Sequence, residues 1–372
     1  MAEETRKRKA DHIKICLDQK AQARKATTGF GDVHLIHKAL PEIDRAKIDL
    51  STTVFGHKFA APIIVGAMTG GTEEATKINA AIAEAVEKLG LGMGVGSQRA
   101  AIEDKTLAKT FAVARKKAPH AFLIANIGGV QLVHGYGVKE VKKAVEMIDA
   151  DAVAIHLNPL QEAMQPEGQT DFDGVLAKIG EVAEALDMPV IVKETGAGIA
   201  AEEACKLEAA GVKGLDVGGC GGTSFAAVEF FRAEEGKKRF LADAFWDWGI
   251  PTAASLVEAT QTVKVPVIAS GGLRSGTDMA KALALNACLA SVSQPVLEAA
   301  VKSARETEKV LSCMIEELRN VMFLVGAKGI KNLAKVPVVI TGETAEWLMT
   351  RGFKVEGYAR RSGLERGHKK VS

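Results

Sequence analysis

Lys193 ends a β-branched run, Val190-Ile191-Val192, and Glu194, Thr195 and Gly196 follow it. A lysine at the end of an apolar strand needs a partner or a task. It could be a Schiff-base nucleophile, a general base or a cation facing a developing anion. It could also be half of an ion pair with Glu194 or another strand-end carboxylate. A second polar group, His156, Asn158, Gln161 and Glu162, follows the run from Ala152. One carboxylate beside amides is a poor cage for zinc, which wants more His or Cys. It suits Mg²⁺, which keeps waters and leans on substrate phosphates. The alternative is an ordinary polar loop with His156 a satisfied core histidine. Gly271, Gly272 and Gly276 surround Arg274 after a third run, and Ser293-Gln294-Pro295 follows a fourth. Glycines let backbone N–H groups approach an anion, and a helix starting at Thr277-Asp278 would add its positive end. Phosphate binding is the stronger reading, with a tight turn as the bland one.

Such polar groups must be held at one end of a sheet. Apolar runs with polar ends recur eight times: 62–67, 91–95, 122–125, 152–157, 190–193, 214–217, 265–270 and 288–292. Helical patterns separate them, among them 73–89, 173–186 and 277–285. This predicts an α/β fold, a (β/α)₈ TIM barrel, whose active site lies at the C-terminal strand ends. The 372 residues exceed the roughly 250 of a typical barrel. The excess divides into a leader over the barrel mouth (1–60), a barrel (61–330) carrying an insertion at 224–250, and a C-terminal extension (331–372). A long helical region is expected over 296–327 and a loose basic tail over 357–372. The whole reads as one domain.

Net charge is only +2, which leaves no footprint for nucleic acid. No apolar run reaches the roughly 18 residues of a membrane span. The five scattered cysteines suggest reduced thiols in a cytoplasm. Arg6-Lys7-Arg8-Lys9 reads first as a solvated tail. A helical pattern with His12 follows at once, and could fold over the mouth and offer these cations to an anion. Trp246 and Trp248 either shield the pocket or anchor the insertion.

Taken in order, the strand-end motifs resemble type 2 isopentenyl diphosphate isomerase, the flavin-dependent form. They are Ala67-Met68-Thr69-Gly70-Gly71, Gly96-Ser97-Gln98-Arg99, Asn126-Ile127-Gly128, His156-Leu157-Asn158 with Gln161-Glu162, Val192-Lys193-Glu194, Gly221-Gly222-Thr223 and Ser270-Gly271-Gly272-Leu273-Arg274. The resemblance runs from Arg8-Lys9-Ala10-Asp11-His12 to Gly357-Tyr358-Ala359-Arg360-Arg361. It implies FMN in its reduced form, Mg²⁺, and NADPH or another reductant. It places Ala67, Met68, Thr69, Ser97, Asn126, Lys193, Gly218 and Thr223 along the flavin. Gly271, Gly272, Arg274, Ser293 and Gln294 would hold its phosphate. Arg8, Lys9, His12, Ser97, Gln98, Arg99, His156, Asn158 and Gln161 would face an isoprenoid diphosphate, and Glu162 would hold the metal. Gln161 and Lys193 are the catalytic candidates. A homo-oligomer, tetramer or octamer, is the expected assembly. Two departures stand out: residues 287–295 lack the usual Gly-Met-Ala, and Gly218-Gly219-Cys220 replaces a more usual serine. An FMN-dependent 2-hydroxy-acid oxidoreductase is the alternative activity, and a non-catalytic phosphate sensor the more distant one.

Overall fold

Eight short runs pair edge to edge and in parallel, and the last closes on the first. The computed structural model describes residues 11–18 and 21–361. The barrel strands are Ile63–Val65, Gly92–Gly94, Phe122–Gly128, Ala152–Leu157, Val190–Glu194, Gly214–Asp216, Val267–Ala269 and Leu289–Val292. Leu289–Val292 pairs with Ile63–Val65, which leaves no free edge. The third strand runs three residues past its expected end because Asn126, Ile127 and Gly128 keep pairing with the fourth.

Side chains alternate across each strand, and that period of two decides what fills the barrel. Ile64, Ile124, Ala154, Ile191, Ile268 and Leu289 point inward and pack together. Gly92 and Gly214 stand at the corresponding positions of strands two and six. Their missing side chains are replaced by rings from below. A Cβ on Gly92 would lie 3.0 Å from Phe59, and one on Gly214 would lie 2.7 Å from Phe55. Both rings belong to a leader hairpin, Thr52–Val54 with His57–Phe59, which plugs the N-terminal end of the barrel. Two residues further along each strand the inward positions become Gly66, Gly94, Asn126, His156, Lys193, Asp216, Ser270 and Ser291. The barrel therefore changes from apolar to polar within one repeat.

Helices cover the outside. Glu73–Leu89 starts at Thr72, whose hydroxyl accepts from Ala75 N at 3.0 Å, and stops at Gly90 with φ +64°. The helical region near the C-terminus is two helices, not one. Gln294–Ala300 ends before Ser303, which caps a second helix over Ala304–Leu324. The expected loose tail is also corrected in part. Glu356–Ala359 is a helical turn, Tyr358 is buried, and the Arg361 guanidinium donates to Ala284 O. Residues 362–372 lie outside the described residues. Strand Val33–Leu35 pairs antiparallel with Val338–Ile340 and joins leader to C-terminal extension.

The leader also reaches the opposite, open end. Residues 11–17 are helical. Gln22 then bridges to Thr223, Ala23 N donates to Gly222 O at 2.8 Å, and Ser224 N donates to Ala21 O at 2.7 Å. The insertion after strand six forms two helices, Phe225–Arg232 and Lys237–Ala244. Trp246 is buried, donates to Gln22 O at 2.9 Å and carries the Arg24 guanidinium 3.4 Å over its ring. It anchors the insertion to the leader. Trp248 is 61% exposed and does not line the cleft.

Candidate active site

The polar inward positions open into a cleft of about 280 Å³ at the C-terminal strand ends. The seventh and sixth loops form its tightest wall. Gly271 has φ +104° and Gly272 φ +73°. A Cβ on Gly271 would lie 2.2 Å from Gly219 O, so no other residue fits. Arg274 bridges from this wall to Gln294 in the eighth loop and Gln22 in the leader. The helix N-terminus behind it is engaged by its own chain. Ser275 Oγ accepts from Asp278 N, and Glu317 accepts from Gly276 N at 2.6 Å. An anion here would therefore meet the glycine backbone and Arg274 rather than the helix start expected at Thr277. The buried hydroxyls of Thr69 and Ser291 have no hydrogen-bond partner among the described residues. Orphan hydroxyls beside a glycine cradle are what a polar, ring-bearing phosphate ligand would satisfy, so the residues fit a flavin nucleotide.

Lys193 lies at the strand-five end, its Nζ donating to Glu194 O at 2.8 Å. It forms no ion pair among the described residues. Its neighbours in register are His156 on strand four and Asp216 on strand six. Asn126 Nδ2 donates to Val95 O at 3.1 Å, which turns its Oδ1 toward His156 Nδ1 at 2.8 Å. That contact places the imidazole proton on Nδ1. Glu194 points the other way. Its carboxylate accepts from Gly196 N at 2.5 Å and from Ala197 N and shapes the turn after the strand. Burial pushes its pKa up to about 7, against the pull of those N–H groups and of Lys193.

A second cluster lies at the strand-four end. Helix Pro159–Met164 carries Gln161 and Glu162. Asn158 Nδ2 donates to Glu162 Oε1 at 3.0 Å, and Gln169 N donates to Oε2 at 2.8 Å. Gln165 Nε2 donates to the same Oε2. Gln161 Nε2 donates to Glu229 Oε1 at 3.2 Å. Glu229 also meets His12 Nε2 at 3.1 Å and the Arg232 guanidinium. Burial alone would raise its pKa, but His12, Arg232 and Gln161 together hold it below the ordinary value. No group of three metal-ligating side chains occurs among the described residues. Glu162 would thus hold a cation only together with ligand oxygens and water.

Most of the residues singled out from sequence line this cleft. They are Ala67, Met68, Thr69, Ser97, Asn126, Lys193, Gly218, Thr223, Gly271, Gly272, Arg274, Ser293 and Gln294, and also His12, Arg99, His156, Asn158, Gln161 and Glu162. Gln98 is the correction. It is fully buried beneath the loop, its amide donating to Ala144 O at 2.7 Å and its Oε1 accepting from Asn126 N at 2.9 Å. Gln98 is the turn residue that precedes helix Arg99–Glu103, and there its side chain packs back among the helices while Ser97 and Arg99 line the cleft. Arg8 and Lys9 lie outside the described residues. Cys220 turns away from the cleft toward Asp247 O at 3.7 Å, leaving backbone where a serine was expected. Glu229, Gln22 and Gln165 were missed. Glu229 had a signal: a lone carboxylate inside Phe225-Ala226-Ala227-Val228-Glu229-Phe230-Phe231.

The closed barrel, the polar strand ends and the glycine cradle define a class, and comparison agrees. Residues 1–122 and 138–339 match the family model of the FMN-dependent dehydrogenases. A mandelate oxidase variant shares the fold with TM-score 0.62 at 19% identity, covering 87% of this chain and 94% of its own. Identity is far higher to isopentenyl-diphosphate delta-isomerases. The protein of that name from Methanothermobacter thermautotrophicus is 50% identical over 95% of this chain and 99% of its own length. Those of Pyrococcus abyssi (50%, 94% and 96%) and Archaeoglobus fulgidus (50%, 94% and 99%) are similar. The chain belongs to the isopentenyl-diphosphate delta-isomerase family within the FMN-dependent dehydrogenases.

Proposed function

We propose that this chain interconverts isopentenyl diphosphate and dimethylallyl diphosphate with reduced FMN and Mg²⁺. The observation that carries the reading is one cleft holding a glycine cradle, the cation of Lys193 and the Gln161, Glu162 and Glu229 cluster. Full-length identity of about 50% to relatives of that name supports it. When bound, reduced FMN supplies a proton donor and an electron-rich face to the alkene.

The protein's part is to bind, orient and balance charge. Gly271, Gly272 and Arg274, with Ser293 and Gln294, hold the cofactor phosphate. Ala67, Met68, Thr69, Ser97, Asn126, Gly218 and Thr223 line its ring. Lys193 offers a cation where negative charge gathers on reduction. Gln161 cannot titrate; anchored on Glu229, its amide positions the alkene. Glu162 holds Mg²⁺ against the diphosphate, while Arg99, His12, His156 and Asn158, with Arg8 and Lys9, grip the anion. Binding energy from the diphosphate fixes the alkene without touching it. NADPH or another reductant would prime the cofactor. Assembly as a tetramer or octamer in the cytoplasm completes the proposal.

The fold shared with mandelate oxidase favours one rival, an FMN-dependent 2-hydroxy-acid oxidoreductase. That chemistry would leave Glu162 and Glu229 idle. The test is turnover of anaerobically reduced, FMN-loaded protein. It should interconvert the two diphosphates many times without further reductant, while oxidised protein is nearly inactive. One reductant consumed per product would overturn the isomerase reading.

A further inference from the structure

Asp216 takes no part in the chemistry above, although it is the one carboxylate among the eight inward positions at the top of the barrel. It is 5% exposed. Its register partners are Lys193 on strand five and Ile268 on strand seven. Ser270 Oγ donates to its carboxylate, and Gly218 N donates to Ser270 Oγ at 3.0 Å. A hydrogen-bond chain thus runs from the sixth-loop backbone through Ser270 to the acid beside Lys193. The other titratable groups around Lys193 do different work. His156, on strand four, is tied to Asn126, and Glu194 is turned outward onto its own loop.

We infer that Asp216 is a positioning residue for Lys193, a buried counter-charge that limits the positive field the flavin site feels. The inference rests on the FMN reading above. Burial lifts the Asp216 pKa above its ordinary value, and Lys193, the Ser270 hydroxyl and the Gly218 N–H oppose that lift by favouring the anion. One cation alone would hold reduced, anionic flavin too firmly in that form; one cation with a fixed anion behind it is a milder field. Coulomb energies are largest where water is excluded, so a charge here outweighs one on the rim.

The test is the midpoint potential of FMN-loaded wild-type, Asp216→Asn and Ser270→Ala proteins, read by dye-equilibrated reductive titration. Asp216→Asn should make reduction easier by about tenfold in equilibrium constant, roughly 30 mV for a two-electron couple. Ser270→Ala should shift it the same way by less, because the acid loses the donor that favours its charge. If Asp216 only stitches loops together, melting temperature falls and the potential stays put, and the inference is overturned. Should Asp216→Asn fail to fold or to hold FMN, Ser270→Ala decides: a positive shift supports the inference and an unchanged potential overturns it. Wild-type protein that takes up no FMN would overturn the proposed function and this inference together. Loaded, isomerising wild type with unshifted variants would overturn the inference alone.

Discussion

The two ends of the barrel are built from the same eight strands and differ by two residues along each. At the N-terminal end the inward positions are Ile191, Ile268 and Leu289, closed by Phe55 and Phe59. At the other end they are Lys193, Ser270 and Ser291. The closed end buries apolar surface. The open end holds a lysine, an aspartate and two buried hydroxyls, Thr69 and Ser291, that have no partner among the described residues, a cost to stability that a hydrogen-bonding ligand would offset. Stability and chemistry are thereby separated along the barrel axis.

If that separation holds, damage to each end should have its own signature. The largest effect is expected at the plug. Phe59→Ala should destabilise folding by about 3–5 kcal/mol, read from denaturant midpoints, with isomerase turnover at low temperature little changed. Lys193→Ala should do the reverse. Turnover should fall roughly 10²–10³-fold, about 2.7–4 kcal/mol, in protein that still folds; near-normal turnover would remove Lys193 from the mechanism.

Glu194 tests whether the open end costs stability. Its pKa of about 7 in the fold, against 4.5 ordinarily, means that the folded state holds the proton more tightly. Its contribution is therefore fully present below pH 4.5 and lost as pH rises through about 7. Over that window wild type should lose roughly 2–3 kcal/mol relative to Glu194→Gln. Parallel stability curves for the two proteins would contradict this. The smallest effect concerns the cation. Glu162→Gln should raise the Mg²⁺ needed for half-maximal activity by about tenfold, with FMN still bound. An unchanged Mg²⁺ titration would remove Glu162 as a ligand.

The strands were legible because parallel barrel strands are buried on both faces and read as continuous apolar runs. Their ends were less so, since pairing depends on a neighbour's register: strand three continues to Gly128 beside strand four. Gln98 was misread because sequence alone does not say which of three consecutive polar residues faces inward. Glu229 was missed because His12 and Gln161 come from segments remote in the chain, and only Arg232 lies on its own helix.

By itself the sequence determined the order of apolar runs and polar ends, the glycines that must lie close to backbone, and the family these motifs define. Those are local properties, set by burial and by φ values that only glycine adopts easily. The hairpin that plugs the barrel, the leader strand paired with the C-terminal extension, the capped helix behind Arg274 and the facing of Asp216 with Lys193 were decided only in the tertiary structure. Each depends on long-range pairing, where segments remote in the chain fix one another's register and orientation.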